Sequence, residues 1–495
     1  MRSAYDDLVH RLHRLSGLGE SAALLQWDME TYMPPGGAEA RAMQLATLSA
    51  LSHEMFTSPE LGRALAIAEK EETDPKHRAL LREVRFAYDR ATKVSTDLVE
   101  KMSHATARAL PIWTKARQAS DFAAFRPVLE EIVDLKRQYA AAIDASAPAY
   151  EVLFRDYEPW VSLDETRRNL ARLRDGLKPL IQKAARQPRP RDVFQGKWPQ
   201  ADQAAFSVAV LRELGYDFER GRLDISAHPF STGNVFDSRI TTRYDEQSPL
   251  GALLGTIHEF GHSLYTQGLP REGHGTPLGE ARDMAVHESQ SRLWENHVGR
   301  SRAFWERWIG PMQKAFPHNL KGATAEDAWR AVNVVEPSFI RTEADELTYH
   351  MHVTLRFEIE EAVIAGKAQV RDVPAMWNER MQSYLGVTPP DDRQGCLQDI
   401  HWSHGSFGYF PTYSLGSILS AQLFAAFERE RGPAAPSIRA GEHAPLRAWL
   451  REKVHRHGKR YETGELVERA TGKALAPDDF LAYARTKYGE LWSAP

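Results

Sequence analysis

The sequence predicts a mainly α-helical protein with one small β segment set beside a metal-binding helix. Apolar residues recur with a helical period from residue 4 to about 185 and again from about 249 to the C-terminus. That spacing lines one face of a helix. A single stretch, Leu223 to Tyr244, is rich in β-favouring residue types. No internal repeat or low-complexity tract is present, which argues against a solenoid.

Taken in order, the N-terminus MRSAYDDLVHRLHRL carries Asp6 and Asp7 and no continuous apolar stretch, so it reads as an amphipathic helix rather than a secretory signal. Helical breaks fall near Pro34-Pro35-Gly36-Gly37, Ser58-Pro59 and Asp74-Pro75. The prolines and alternating charges of Arg186 to Arg191 forbid a helix there. A Ser-Thr-Gly-Asn turn then leads into Val235, Phe236, Ile240, Thr241, Thr242 and Tyr244, which favour strand. The next helix is PLGALLGTIHEFGHSLYTQG, ending near Gly268 and Pro270. Later interruptions are expected at 386–395, in an aromatic loop at 402–413, and in a Pro-rich stretch at 433–445.

Composition bounds the function. With 42% hydrophobic and 26% charged residues, the chain can bury a sizeable core. Its 495 residues are read as one catalytic unit, a helical N-terminal part of about 1–200 and a metal-binding part of about 201–495. A formal net charge of -4 offers no basic field for nucleic acid. No 18-residue apolar run suggests a membrane span. The single cysteine, Cys396, rules out an intramolecular disulfide and suits a reducing cytoplasm. It also lacks the surroundings of a thiol-protease nucleophile.

The chemistry is carried by His258-Glu259-Phe260-Gly261-His262. Imidazoles at i and i+4 stack on one helix face and can grip one ion. Glu259 between them can take a proton from a metal-activated water, the zinc-peptidase His-Glu-x-x-His arrangement. Gly261 costs about 0.8–1.0 kcal/mol relative to Ala in a helix, so close packing must call for it, against the ion or a neighbouring helix. Catalytic zinc usually takes a third protein ligand. The metzincin extension is excluded, because the helix continues with Tyr265 and Gly268. A carboxylate on a later helix remains, and GEARDMAVHESQSRLWENHVG offers Glu288, with Glu280, Asp283, His287 and Glu295 as competitors.

Six short motifs then occur in one order: HPF (228–230), DSRIT (237–241), HEFGH (258–262), HESQ (287–290), IRTEAD (340–345) and GYFPTY (408–413). Together with WDMETYMPPGG (27–37) and GCLQDIHWSHGSFGYFPTYSLG (395–416), they resemble the carboxypeptidase Taq family of zinc metallopeptidases across essentially the whole chain. The resemblance implies a two-lobed helical peptidase around a deep cleft, a cytosolic homodimer that removes residues from peptide C-termini. It also implies Glu288 as the third metal ligand. Zinc is the expected ion, with cobalt as a replacement.

The remaining motifs have competing readings. An exopeptidase must hold the substrate's terminal carboxylate, and the guanidinium fork of Arg341 suits it; the plainer reading is a helical ion pair with Asp345. Tyr409 and Tyr413 can reach a cleft and stabilise a tetrahedral intermediate, or simply pack. His228 can donate to substrate or to the developing oxyanion, or serve as a turn residue before Pro229. The β segment can offer an open edge to an extended peptide. His350, His352, His401 and His404 lack a metal pattern and read as structural. The expected activity is therefore zinc-dependent, broad-specificity carboxypeptidase hydrolysis with Glu259 as general base. The alternatives are an endo-acting oligopeptidase of the same helical type and a non-catalytic helical binding module.

Overall fold

The structure, a computed structural model, describes residues 3–493. It is mainly helical with one three-stranded sheet, as the periodicity predicts. Two of the expected breaks are helix starts with local causes. Ser58 precedes Pro59, and its hydroxyl accepts from the Leu61 amide at 3.3 Å. Asp74 precedes Pro75 and accepts from the amides of Lys76 (2.7 Å) and His77 (3.1 Å). A side-chain cap followed by proline at the first helical position satisfies the amides that a helix start leaves open.

The same logic explains two departures from the sequence reading. The Pro-rich stretch contains a short helix, Ala435–Ala440, and the start of another at Ala444–Lys453, each with a proline in its first two positions. Likewise Pro411 opens the helix Pro411–Arg431, which places Tyr413 in a helical first turn rather than in a loop. Proline breaks a helix interior but is well tolerated at its start.

The sheet comprises β1 (Leu223–Ile225), β2 (Ser231–Gly233) and β3 (Ser238–Thr242), in the order β1-β3-β2. β3 pairs parallel with β1 and antiparallel with β2, with Ile240 opposite both Leu223 and Ser231. Val235 and Phe236, expected in the strand, lie between β2 and β3. Because β3 is central, both its sides are occupied. The free edge on the cleft side therefore belongs to β2, not to the VFDSRITTRYD segment that the composition singled out.

One large hydrophobic core runs from Leu98 to Leu491 and takes in the metal-motif helix through Leu253, Ile257, Phe260 and Tyr265. A smaller cluster, built on Leu8, Leu12, Leu61, Leu65, Leu80 and Val84, holds the first helices together and reaches the rest of the chain through Leu278. Among the described residues no helix is long and apolar enough to cross a membrane.

Candidate active site

Three helices build the site. Pro249–Gly268 carries His258, Glu259 and His262, and Met284–Arg292 carries Glu288. The first packs on the second at Gly261, where a Cβ would lie 2.5 Å from the Gln290 carbonyl oxygen and 2.6 Å from Ser291 Cα. Helix-to-helix contact is thus what the glycine permits. Pro411–Arg431 backs the second helix, and a Cβ at Gly416 would stand 2.6 Å from Glu288 Cβ and Cγ. Two glycines fix the depth at which Glu288 sits.

Glu288 Oε2 lies 3.5 Å from His258 Nε2 and 3.4 Å from His262 Nε2. Four ligands about 2.0–2.1 Å from a tetrahedral ion stand roughly 3.3–3.4 Å apart, so this spacing fits a shared divalent ion. It is the one His/Cys/Asp/Glu group of metal-holding geometry among the described residues. Both imidazoles have a partner behind them. His258 Nδ1 donates to Glu295 Oε2 at 2.9 Å, and His262 Nδ1 faces His287 Nδ1. Such partners fix the tautomer and turn the free Nε2 towards an ion.

Electrostatics follow burial and pairing. Burial opposes the charge on Glu288, but Arg292, His258 and His262 outweigh it and hold the carboxyl well below its usual range. Arg292 donates to Glu288 Oε1 at 2.7 Å and to Glu295 Oε2 at 3.2 Å, bracing both acids at once. Burial also disfavours a charged His258, and Glu288 and Glu295 together raise it above its ordinary value. His287 is driven down to about 3 by burial and by His262, so it is neutral and can accept from His262. Glu259 is raised by burial, with His258 and His262 pulling the other way. No hydrogen bond within the protein engages its carboxylate among the described residues, and it faces the cleft.

Glu295 stood among the third-ligand candidates, and its place behind His258 gives it a different part. Glu295→Gln should weaken metal binding about 10–100-fold in chelator competition, with the fold intact by circular dichroism. An unchanged affinity would show that His258 needs no such support.

The preferred site residues from the sequence all line one cleft of about 880 Å³: His228, His258, Glu259, His262, Glu288, Arg341, Tyr409 and Tyr413, whereas the competing acids Glu280 and Asp283 lie outside it. His228 is exposed at its rim, with the Ser226 hydroxyl donating to its carbonyl at 2.6 Å. Arg341 is buried in the wall, but its partner is not Asp345. Its guanidinium donates to Asp399 Oδ1 from Nη2 at 2.8 Å and to the Tyr349 hydroxyl from Nη1 at 3.1 Å. Asp345 instead caps the turn before Tyr349–Ile364, accepting from the amides of Leu347 (2.9 Å) and Thr348 (3.0 Å). Arg356 donates to the other oxygen of Asp399 at 2.6 Å, so one carboxylate serves two guanidinium groups.

Tyr413 packs edge-on against both Tyr409 (5.2 Å between centroids) and Tyr349 (5.9 Å), an aromatic wall beside Arg341. The loop before it is pinned by buried Glu360, which accepts from Tyr150, Trp402 and the Gly408 amide. Burial pushes Glu360 up to about 7 against the pull of those donors. His350 and His401 also line the cleft, yet neither joins the three-donor group. His350 bonds Ser414, and His401 packs at a tilt against both Tyr409 and Phe410.

Sequence reasoning missed Arg292, Tyr349 and Asp399. Arg292 was within reach, because it stands four residues after Glu288 on one helix face. Tyr349 and Asp399 carry no local signal.

Comparison with known proteins agrees with this geometry. Residues 7–488 match the family described as Carboxypeptidase Taq (M32) metallopeptidase. The chain is 40% identical to thermostable carboxypeptidase 1 of Thermus thermophilus, covering 99% of each. It is 36% identical to carboxypeptidase 1 of Bacillus subtilis, covering 97% of each. The M32 carboxypeptidase of Deinococcus radiodurans R1 superposes with a TM-score of 0.97 at 40% identity, over 99% of this chain and 100% of that one. Metallocarboxypeptidase 1 of Trypanosoma cruzi does so with a TM-score of 0.94 at 36% identity, over 98% and 99%.

Proposed function

The chain belongs to the carboxypeptidase Taq family and is a metallocarboxypeptidase, and from that premise we propose that it is zinc-dependent, with His258, His262 and Glu288 as ligands and Glu259 as general base. Cobalt is the replacement ion. Two imidazole nitrogens and one carboxylate suit both. When bound, such an ion supplies Lewis acidity, polarising a carbonyl and lowering a water's pKa from roughly 15.7 to about 7.

The chain's own residues do the rest. Glu259, unpartnered and raised by burial, takes the proton of the attacking water and returns it to the leaving amine. Tyr409 and Tyr413, which line the same cleft, are the phenols that donate to charge developing on the carbonyl oxygen. The free edge of β2, whose Ser231 borders the cleft, supports binding of an extended substrate backbone by strand addition. Backbone recognition suits broad specificity. A single buried cysteine supports a cytoplasmic location. The homodimer rests on family resemblance.

The observation that carries removal of C-terminal residues is the Arg341 guanidinium in the same cleft as the three-donor group, where it shares its one carboxylate partner, Asp399, with Arg356. A substrate carboxylate would give Arg341 a second acceptor. Arg341→Ala should lose at least about tenfold in kcat/KM on free-acid peptides, since a charge-assisted hydrogen bond is worth about 1.5–3 kcal/mol. Arg341→Lys should recover part of the loss, lacking the fork geometry. C-terminally amidated peptides should be poor substrates for the wild type and lose little more in the variant. An oligopeptidase would cut amidated peptides internally. Equal losses on acid and amide would mean instead that Arg341 serves only to hold Asp399 and Tyr349.

A further inference from the structure

Beside the catalytic cleft lies a second cavity of about 780 Å³, a volume usual for ligand sites. The two share Met284 and His287 as lining residues, so they meet at the helix that carries Glu288. His287 faces His262, and Tyr157, also in the second cavity, packs edge-on against Tyr409 at 5.1 Å between centroids. The chamber therefore adjoins both the three-donor group and the aromatic wall.

Its far walls come from the first helices of the chain: Leu12, Leu15, Phe56, Val84 and Phe86. Charged side chains in its lining are occupied by one another. Arg282 pairs with both Glu83 at 2.7 Å and Asp283 at 2.8 Å, Arg90 with Asp156 at 2.9 Å, and Lys459 with Glu280 at 2.6 Å. With each of those charges held by a partner in the lining, apolar surface is what the chamber offers a visitor. Met284, 41% exposed despite being a large apolar residue, stands at the junction without a cover.

We propose that this chamber is a specificity subsite that receives an apolar side chain, aliphatic or aromatic, from one of the two residues flanking the scissile bond. It rests on the peptidase reading above. It also gives the N-terminal helices a part in the reaction. Residues 4–93 supply none of the three-donor group, yet they form the wall that a substrate side chain meets.

Gly19 provides a clean test. It lines the chamber inside the helix Ala4–Thr31, and a Cβ placed there meets nothing within 4 Å. Gly19→Phe therefore fills the space without an immediate clash, and an exposed wall position on another helix gives a second filling variant, Ala87→Trp. Two peptide series are needed, one varying the terminal residue and one the penultimate residue through Ala, Leu and Phe. In at least one series the wild type should favour Leu or Phe over Ala by about tenfold in kcat/KM, the scale of discrimination by an apolar pocket. Both variants should cut that ratio to about twofold or less. A wild type with no apolar preference in either series overturns the proposal, and so does a preference that both folded variants retain. Indole binding to the intact protein separates this from the peptidase reading. Hydrolysis of no peptide overturns the subsite along with the peptidase reading, and indole bound by wild type but not by Gly19→Phe then leaves only an apolar binding cavity. With peptides hydrolysed, absence of indole binding overturns the subsite alone.

Discussion

His258→Ala, His262→Ala and Glu288→Ala should each lose bound metal and peptide hydrolysis together. Each substitution removes one of three donors around a point that fits one divalent ion, with Glu288 Oε2 at 3.5 and 3.4 Å from the two Nε2 atoms. Two remaining donors make a poor site, since catalytic zinc usually keeps three protein ligands. Glu288→Ala has a further consequence. It leaves Arg292, half-buried over the Tyr349 ring, with only Glu295 as a carboxylate partner. Breaking a buried ion pair from one side costs about 3–5 kcal/mol. This variant should therefore also melt at a lower temperature than the histidine variants. Glu288→Gln, which keeps an acceptor for Arg292 but loses the charge, should restore much of the stability without restoring tight metal binding. Metal content by mass spectrometry and thermal melts read the two effects separately. Stoichiometric zinc in Glu288→Ala, with Glu295→Ala metal-free at saturating zinc, would transfer the third-ligand role to Glu295.

Glu259→Gln should keep both metal and fold while kcat falls by about 10²–10⁴-fold, the usual contribution of a general base. The substitution is nearly isosteric, and no protein hydrogen bond to Glu259 is broken among the described residues. Its effect should therefore fall on chemistry rather than stability. Burial raises the carboxyl, and the two imidazoles beside it oppose that shift. A base so placed can hold the proton it takes and release it in the same turnover. Single-turnover kinetics on a metal-loaded variant isolate this step from binding and release. Near wild-type turnover would remove Glu259 from the mechanism.

The chemistry was legible in the sequence because it is written in short-range spacing. Histidines at 258 and 262 with Glu259 between them need only a helix to be brought into register, and a helix is what the surrounding leucines specify. The starts at Ser58 and Asp74 were legible for the same reason, since cap and proline act within one turn. Where the reading erred, a local rule was applied without its position. The prolines at 411, 436 and 445 open helices rather than interrupt them. Likewise, β-favouring composition identified β3 but could not say that both its edges were taken.

The sequence by itself determined a mainly helical fold, a helix carrying two imidazoles and a carboxylate at 258–262, and a short set of acids from which a third ligand could come. The tertiary structure decided the pairings. It set Glu288 among the donors and Glu295 behind His258, although both acids lie on one continuous stretch of chain. It gave Arg341 to Asp399, 58 residues away, instead of to Asp345 four residues away. It also set a partly open, largely apolar cavity between the first helices and the helix of Glu288. The physical reason is range. Helix geometry fixes which residues share a face within a few turns, whereas an ion pair or cavity wall between distant segments depends on how whole helices pack, which no local spacing encodes.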